Sequence, residues 1–171
     1  MRTIEITGLT LEPQTAGHAD EMFAVLSDPA IYEFENQPPA SLEWLRERYL
    51  RLESRRSPDA GELWLNWIVR LPSGEAAGYV QATLRGATAA IGYEFASRYW
   101  GRGLASRAVQ AMMNELAGAY GAGNFTAVLK GRNLRSLRLL QRLGFAAASP
   151  AVLAARRLEP DEMLMLRDGL P

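Results

Sequence analysis

The stretch Ile91-Gly-Tyr-Glu-Phe-Ala-Ser-Arg-Tyr-Trp-Gly-Arg-Gly-Leu-Ala-Ser-Arg-Ala-Val109 constrains the fold more than any other. It opens with β-prone residues and passes through a turn holding two glycines. Leu104, Ala108, Met112, Leu116 and Ala119 then mark the buried stripe of a helix. A strand that feeds a helix through such a turn leaves the first helical N–H groups without intrahelical partners. They point the same way as the positive end of the helix dipole, which makes the turn an anion site. Gly101 and Gly103 permit unusual φ and close backbone approach, so N–H groups can surround a pyrophosphate. A Walker A loop needs G-x-x-x-x-G-K-[ST], and neither glycine begins one. A dinucleotide fingerprint needs a third glycine where Ser106 stands, and would follow the first strand rather than the fourth. A coenzyme A pyrophosphate loop and a plain strand–helix turn both remain open on this stretch alone.

The rest of the chain sets the class of fold. Thr3–Glu12 reads as a first strand, closed by Pro13. Thr15 caps a helix over Ala16–Leu26, which Asp28-Pro29 stops, and Ala30–Pro39 is a loop or a single helical turn. Ser41 caps a second helix from Leu42 to about Glu53. Strands over Glu62–Leu71, Ala76–Leu84 and Ala89–Ala96 follow, joined by Pro72-Ser-Gly-Glu75 and Arg85-Gly-Ala-Thr88. After the helix from Leu104 to about Tyr120 come a strand at Asn124–Lys130, a short helix within Asn133–Leu143, and strands at Phe145–Ala148 and Met163–Leu166. An irregular link lies around Pro150 and Pro160. This order predicts a single α+β domain over residues 1–171, with a mixed twisted sheet of six to seven strands and about four helices. A chain of 171 residues is long enough for one sizeable core.

Composition removes several chemistries. With no cysteine there is no disulfide, cysteine nucleophile or thiolate metal site. His18 is the only histidine, no G-x-S-x-G motif accompanies it, and zinc catalysis usually draws on histidine ligands. No metal is expected, and His18 reads as structural. Nineteen basic residues balance nineteen acidic ones, which argues against nucleic acid as a partner. Lys130 is the only lysine, so the positive charge is almost all arginine. No run approaches the roughly 18 apolar residues of a membrane span, and no signal-peptide run opens the chain, so a cytoplasmic protein without a membrane partner is expected.

A second constellation lies downstream. Asn133-Leu-Arg-Ser136 opens the short helix that ends at Leu143-Gly-Phe145. At 100° per residue, Ser136 shares a face with Leu139, Leu140 and Leu143, whereas Arg135, Arg138 and Arg142 share another. Ser136 therefore points into the fold, either to cap backbone or to serve a ligand. Taken together, Gly92-Tyr93-Glu94, Tyr99-Trp-Gly-Arg-Gly-Leu-Ala105 and Asn133-x-x-Ser136 through Leu143-Gly-Phe145 resemble the GNAT superfamily of N-acetyltransferases. They resemble most its RimJ/RimL-like branch, which acetylates ribosomal-protein N-termini. The resemblance covers nearly the whole chain, since the element order agrees as well. In the superfamily the loop reads Q/R-x-x-G-x-G/A, and Trp100 departs from it at the first position while leaving the backbone cradle intact.

The resemblance implies that acetyl-CoA, as co-substrate, enters a V-shaped opening between the fourth strand, ending near Ala96, and the fifth, from Asn124. The cofactor contacts it implies are Phe95, Ala96, Trp100, Gly101, Gly103, Leu104, Ala105, Asn133 and Ser136, with the pyrophosphate on the N–H groups of Gly101 through Ala105. Arg98 and Arg102 flank this loop, as phosphate contacts or as solvated turn residues. The pantetheine would pair with backbone near Phe95 like an added strand. Backbone N–H groups at the end of the Glu94 strand would stabilise the oxyanion. A primary amine would attack directly in a ternary complex. An α-amine with pKa near 8 is about one-tenth neutral at pH 7, whereas a lysine amine is neutral less than about once in a thousand. A modest base suffices for the former, and Glu94 is the candidate, with a solvated carboxylate as the alternative role. Ser136 is the candidate near the leaving thiol, and Asn133 for a hydrogen bond to cofactor or water. Tyr32, Glu33, Phe34 and Glu35 are candidates for binding a cationic amine with some apolar surface. The acceptor is a small molecule or a protein N-terminus, and the chain a monomer or homodimer. A non-catalytic acetyl-CoA sensor is the competing function.

Overall fold

The computed structural model describes residues 1–153 and 157–169, so part of the link around Pro150–Pro160 lies outside the described residues. Thr7-Gly8 interrupts the first β-prone segment, with Gly8 at φ +74°. The expected first strand is therefore a hairpin of β1 (Ile4–Ile6) and β2 (Leu9–Pro13), in register Ile4 with Leu11 and Ile6 with Leu9. A single turn of 3-10 helix, Ala16–His18, precedes α1 (Ala19–Leu26), and the His18 ring accepts the Thr15 N–H at 3.0 Å. In α2 (Leu42–Leu52), the Ser41 hydroxyl accepts the Trp44 N–H at 3.1 Å, satisfying one of the free donors of the first turn. Met22 and Val25 of α1 and Leu45 and Tyr49 of α2 are buried where the two helices cover one face of the sheet.

Three strands follow as an antiparallel meander: β3 (Leu63–Arg70), β4 (Ala76–Arg85) and β5 (Thr88–Phe95). Leu65, Trp67, Ile68 and Val69 are all buried, as expected for a strand covered on both faces. At the end of the meander the strands approach closely: a Cβ built on Gly78 would sit 2.1 Å from the Glu94 carbonyl oxygen. Only glycine fits there, so Gly78 fixes how β5 runs past β4 just where Glu94 is presented.

The chain then enters α3 (Leu104–Tyr120), crosses to β6 (Asn124–Lys130), and continues through α4 (Leu134–Arg142), β7 (Ala146–Ala147), α5 (Pro150–Leu153) and β8 (Glu162–Asp168). Leu104, Ala108, Met112 and Leu116 are buried as the periodicity predicts, but Ala119 is exposed. The buried face widens instead to Val109, Ala111, Met113 and a carboxylate, Glu115. Arg2 meets Glu115 at 2.6 Å and clamps the hairpin onto α3.

The sheet has eight strands in the order β1-β2-β3-β4-β5-β6-β8-β7. Six to seven strands and about four helices were expected. The Gly8 turn splits the expected first strand and supplies the eighth, β7 is the expected Phe145–Ala148 strand cut to two residues, and the single-turn α5 supplies the fifth helix. β5 meets β6 in parallel over three pairs only, Thr88 with Asn124, Ala89 with Phe125 and Ala90 with Thr126. Beyond Ala90 each strand stays in register with its other neighbour, β5 with β4 as far as Phe95 and β6 with β8 as far as Lys130. The two halves of the sheet diverge from a common base and leave a V-shaped opening.

Candidate active site

The opening is continuous with a cleft of about 1140 Å³ that runs from β5 and β6 over the start of α3 to α4. At its outer end Gly101 and Gly103 have φ of +74° and +72°, and Gly103 is the N-cap of α3. No atom lies within 4 Å of a Cβ built on either. Backbone conformation rather than crowding therefore demands glycine, and the space above the loop is open. The first N–H groups of α3, without intrahelical partners, face this space. Leu104 is buried beneath the loop, and Ala105 lines the cleft beside it.

Deeper in, the backbone itself is available. The Ala96 N–H donates to the Ala77 carbonyl at 3.0 Å, and the Glu94 carbonyl lies against Gly78. With the two-residue alternation of a strand, the backbone groups of Ile91, Tyr93 and Phe95 then face the opening, past the point where pairing with β6 stops. The Phe95 carbonyl accepts the Trp100 indole N–H at 2.8 Å, so Trp100 pins the turn to the strand.

Glu94 stands directly opposite Tyr79 on β4, and its Oε1 accepts the Asn36 side-chain amide at 3.1 Å. Burial raises its carboxyl above the ordinary carboxylate range. Hydrogen bonding to Tyr79 and Asn36 pulls it down, the Glu35 charge pushes it up, and Arg48 lowers it. A second cavity, of about 280 Å³, lies on this face of the sheet between β3, β4 and α2. Asn36, Tyr79, Gln81 and Glu94 line both this cavity and the cleft, so Glu94 sits where the two meet.

On the other wall Asn133 caps α4, its side-chain oxygen accepting the Ser136 N–H at 3.1 Å. The Ser136 hydroxyl lies 2.7 Å from the Tyr93 hydroxyl, which reaches across the opening from β5. Tyr93 was not singled out in the sequence as a site residue, although it stands within Gly92-Tyr93-Glu94. The signal was strand alternation, which sends Tyr93 to the face opposite Glu94. Burial pushes its hydroxyl up to about 12, against the Ser136 hydrogen bond.

The arginines of α4 are exposed, as the helical plot predicts, yet Arg135, Arg138 and Arg142 also line the cleft. The Arg135 guanidinium stacks 3.9 Å from the Trp100 ring centroid and 5.6 Å from that of Phe34, and meets Glu33 at 3.0 Å. Glu33 thus faces Arg135. Phe34 and Glu35 line the cleft, with burial raising the Glu35 carboxyl. Tyr32 lines the smaller cavity and donates to the Leu26 carbonyl at 2.8 Å. Arg102 lines the cleft. Arg98 does not: it stacks 4.6 Å from the Tyr99 ring centroid, near Asp28. Asp28 accepts the N–H groups of Ser97 and Ala30, joining the loop after α1 to the end of β5. His18 lies away from both cavities, 3.3 Å from Glu12. Among the described residues, no group of three or more histidine, cysteine, aspartate or glutamate side chains is placed to hold a metal ion, and no helix is long and apolar enough to cross a membrane.

Residues 8–146 match the family model of the acetyltransferase (GNAT) domain, which is most of the chain. The chain belongs to the GNAT acetyltransferases, and it is an acyltransferase. No curated protein matches the sequence. Among solved structures it resembles the ribosomal-protein-S5-alanine acetyltransferase of Vibrio fischeri, at 18% identity over 98% of this chain and 96% of that one, with a TM-score of 0.79. It also resembles RimL, the ribosomal L7/L12 alpha-N-protein acetyltransferase, solved in complex with coenzyme A, at 19% identity over 97% of both chains and a TM-score of 0.80. A putative GNAT-family acetyltransferase from Bordetella pertussis is 24% identical over 98% of this chain and 99% of that one, with a TM-score of 0.77. These likenesses show that the chain shares the fold of those acetyltransferases.

Proposed function

We propose that the protein is an acetyl-CoA-dependent N-acetyltransferase that moves the acetyl group directly to a primary amine. The observation that carries this reading is the position of Glu94, a carboxylate raised by burial at the junction of a long cleft and a separate small cavity. The cleft fits coenzyme A. Free N–H groups stand at Gly101 through Ala105, unpaired strand backbone faces the V, and arginines line the outer wall.

When bound, acetyl-CoA supplies the thioester carbon that the amine attacks. The loop over Gly101–Ala105 holds the pyrophosphate, and Arg102, Arg135 and Arg138 offer further positive charge. The free backbone of Tyr93 and the Phe95 N–H lay the pantetheine arm along β5. A free N–H at this edge also faces the negative charge that develops on the carbonyl oxygen. Glu94 takes the proton of an amine held in the smaller cavity. The Tyr93–Ser136 hydroxyl pair sits across the opening, where the sulfur departs. A thiol with pKa near 8.5 needs little help to leave, so that pair serves by orientation more than by acidity.

Thermal shift with acetyl-CoA and with NAD, followed by a coenzyme A release assay over a panel of amines, tests the reading. Acetyl-CoA should raise the melting temperature and NAD should not. Stabilisation by NAD alone, or no release of coenzyme A with any amine, would overturn it.

A further inference from the structure

The smaller cavity contains polar groups that the transfer chemistry does not use. Asn66 on β3 and Gln81 on β4 are direct cross-strand partners. They share the sheet face of Glu94, because Gln81 stands opposite Gly92, two residues before it. Asn66 is only 7% exposed. Neither side-chain amide has a hydrogen-bond partner among the described residues, and both line the cavity. Asn66 is buried and Gln81 half-buried, and two unpaired amides that line one cavity favour a polar group there.

Charge narrows the choice. Only two charged residues line this cavity, Glu94 on its floor and Arg48 on α2. Arg48 lies one helical turn after Trp44 and 5.7 Å from its ring centroid. No carboxylate lies within 4.0 Å of Arg48 among the described residues, and its charge reaches Glu94. The walls thus offer one negative and one positive site, separated by neutral amides. A polyamine or an aminoglycoside brings several positive charges against one carboxylate and one guanidinium. A plain alkylamine leaves Arg48 and both amides unused. The volume of about 280 Å³ falls just below the range of roughly 300–1,000 Å³ usual for small-molecule pockets, so the occupant is compact.

We propose that the acceptor is a small amino carboxylate, with its amine at Glu94 and its carboxylate held by Arg48 and the Asn66 and Gln81 amides. This rests on the acetyl-transfer reading of the same site. In the step itself the ammonium group first loses one proton to solvent through Glu94. The nitrogen then bonds to the acetyl carbon, the carbon–sulfur bond breaks, and the second nitrogen proton ends on the departing thiolate.

The test is a coenzyme A release assay on the intact protein with acetyl-CoA and four groups of amines. These are free amino acids, their carboxamides, polyamines and an aminoglycoside, and short peptides with free N-termini. At least one amino acid should be acetylated, and its carboxamide should have a kcat/KM lower by about tenfold or more. Arg48→Gln should cause a similar loss for the acid, mainly through KM, and a clearly smaller one for the carboxamide. Arg48→Lys should recover part of it. Asn66→Ala, with a melting temperature measured alongside, should also raise KM for the acid. Equal rates for acid and carboxamide, better turnover of polyamines or peptides, or indifference to Arg48→Gln would overturn this proposal while leaving acetyl transfer standing. A protein that acetyl-CoA does not stabilise and that acetylates no amine would overturn both.

Discussion

Glu94 carries opposing demands. Its ionised form is needed to accept a proton, while burial disfavours that form. kcat/KM should therefore rise with pH through a carboxyl pKa above the ordinary range. Glu94→Gln should abolish that limb and lower kcat by about 10²–10⁴-fold, as seen in a pH–rate profile. The folded pKa is raised above the unfolded one, so the folded state binds this proton more tightly. Stability from this group is gained as pH falls through the folded pKa and is absent above it. At neutral pH the neutral Gln variant should melt no lower than the parent. A slow variant that also melts well below the parent would point to a structural role. Tyr93 and Ser136 form the other residue-scale unit. Their hydroxyls are 2.7 Å apart, so Tyr93→Phe and Ser136→Ala should not be additive. A double-mutant cycle on kcat should show coupling of about 0.5–3 kcal/mol. Independent effects would mean that the two hydroxyls do not act together.

At the scale of elements, the entry to α3 is the sensitive joint. Gly103 at φ +72° is the N-cap of that helix, and a Cβ there meets no neighbouring atom, so the cost of alanine is conformational. Gly103→Ala should destabilise by about 1–2 kcal/mol and weaken acetyl-CoA binding, read by melting temperature and by titration. An unchanged affinity would separate the loop's shape from its function. This joint was legible in the sequence, because glycines, helical spacing and a preceding strand are local signals. Asn133 and Ser136 were legible for the same reason. The partners that α4 finds were not. Arg135 reads as an outward-facing arginine on the helical plot, and is in fact exposed. Only the folded chain brings Trp100, Phe34 and Glu33 to it from two distant loops. Asn66 and Gln81 were hidden for a related reason. A polar residue within a strand gives no sign of whether it meets a partner or a cavity.

For the whole molecule the split sheet is the organising fact. The sequence order supported one α+β domain with a mixed sheet, and the family resemblance located the V. The number of strands was less legible, because one turn at Gly8 and a two-residue strand decide it. The two halves share only three residue pairs between β5 and β6. A ligand that pairs with β5 inside the V should therefore act as a missing strand. At a hundred times its dissociation constant it should add about 2.7 kcal/mol, a rise of roughly 5–10 °C in melting temperature for a domain of this size. The amides of Ile91, Tyr93 and Phe95 should exchange quickly without coenzyme A, and any that pair with it should slow on binding. Hydrogen exchange read residue by residue would show this. Protection of the Tyr93 amide already complete without ligand would contradict the free-edge description.

The same opening bears on how the protein keeps in solution. Past Ala90 and Thr126 the facing edges of β5 and β6 are not paired with each other, and unpaired strand edges recruit strands from other chains. Here they lie recessed inside a cleft walled by arginines, with exposed Val128 on one side. A recessed, charged edge is a poor template for a strand of a second copy, whereas the cleft suits a thin, flexible, phosphate-bearing chain. The geometry proposed to admit the cofactor would therefore also guard the empty enzyme against sticking to itself.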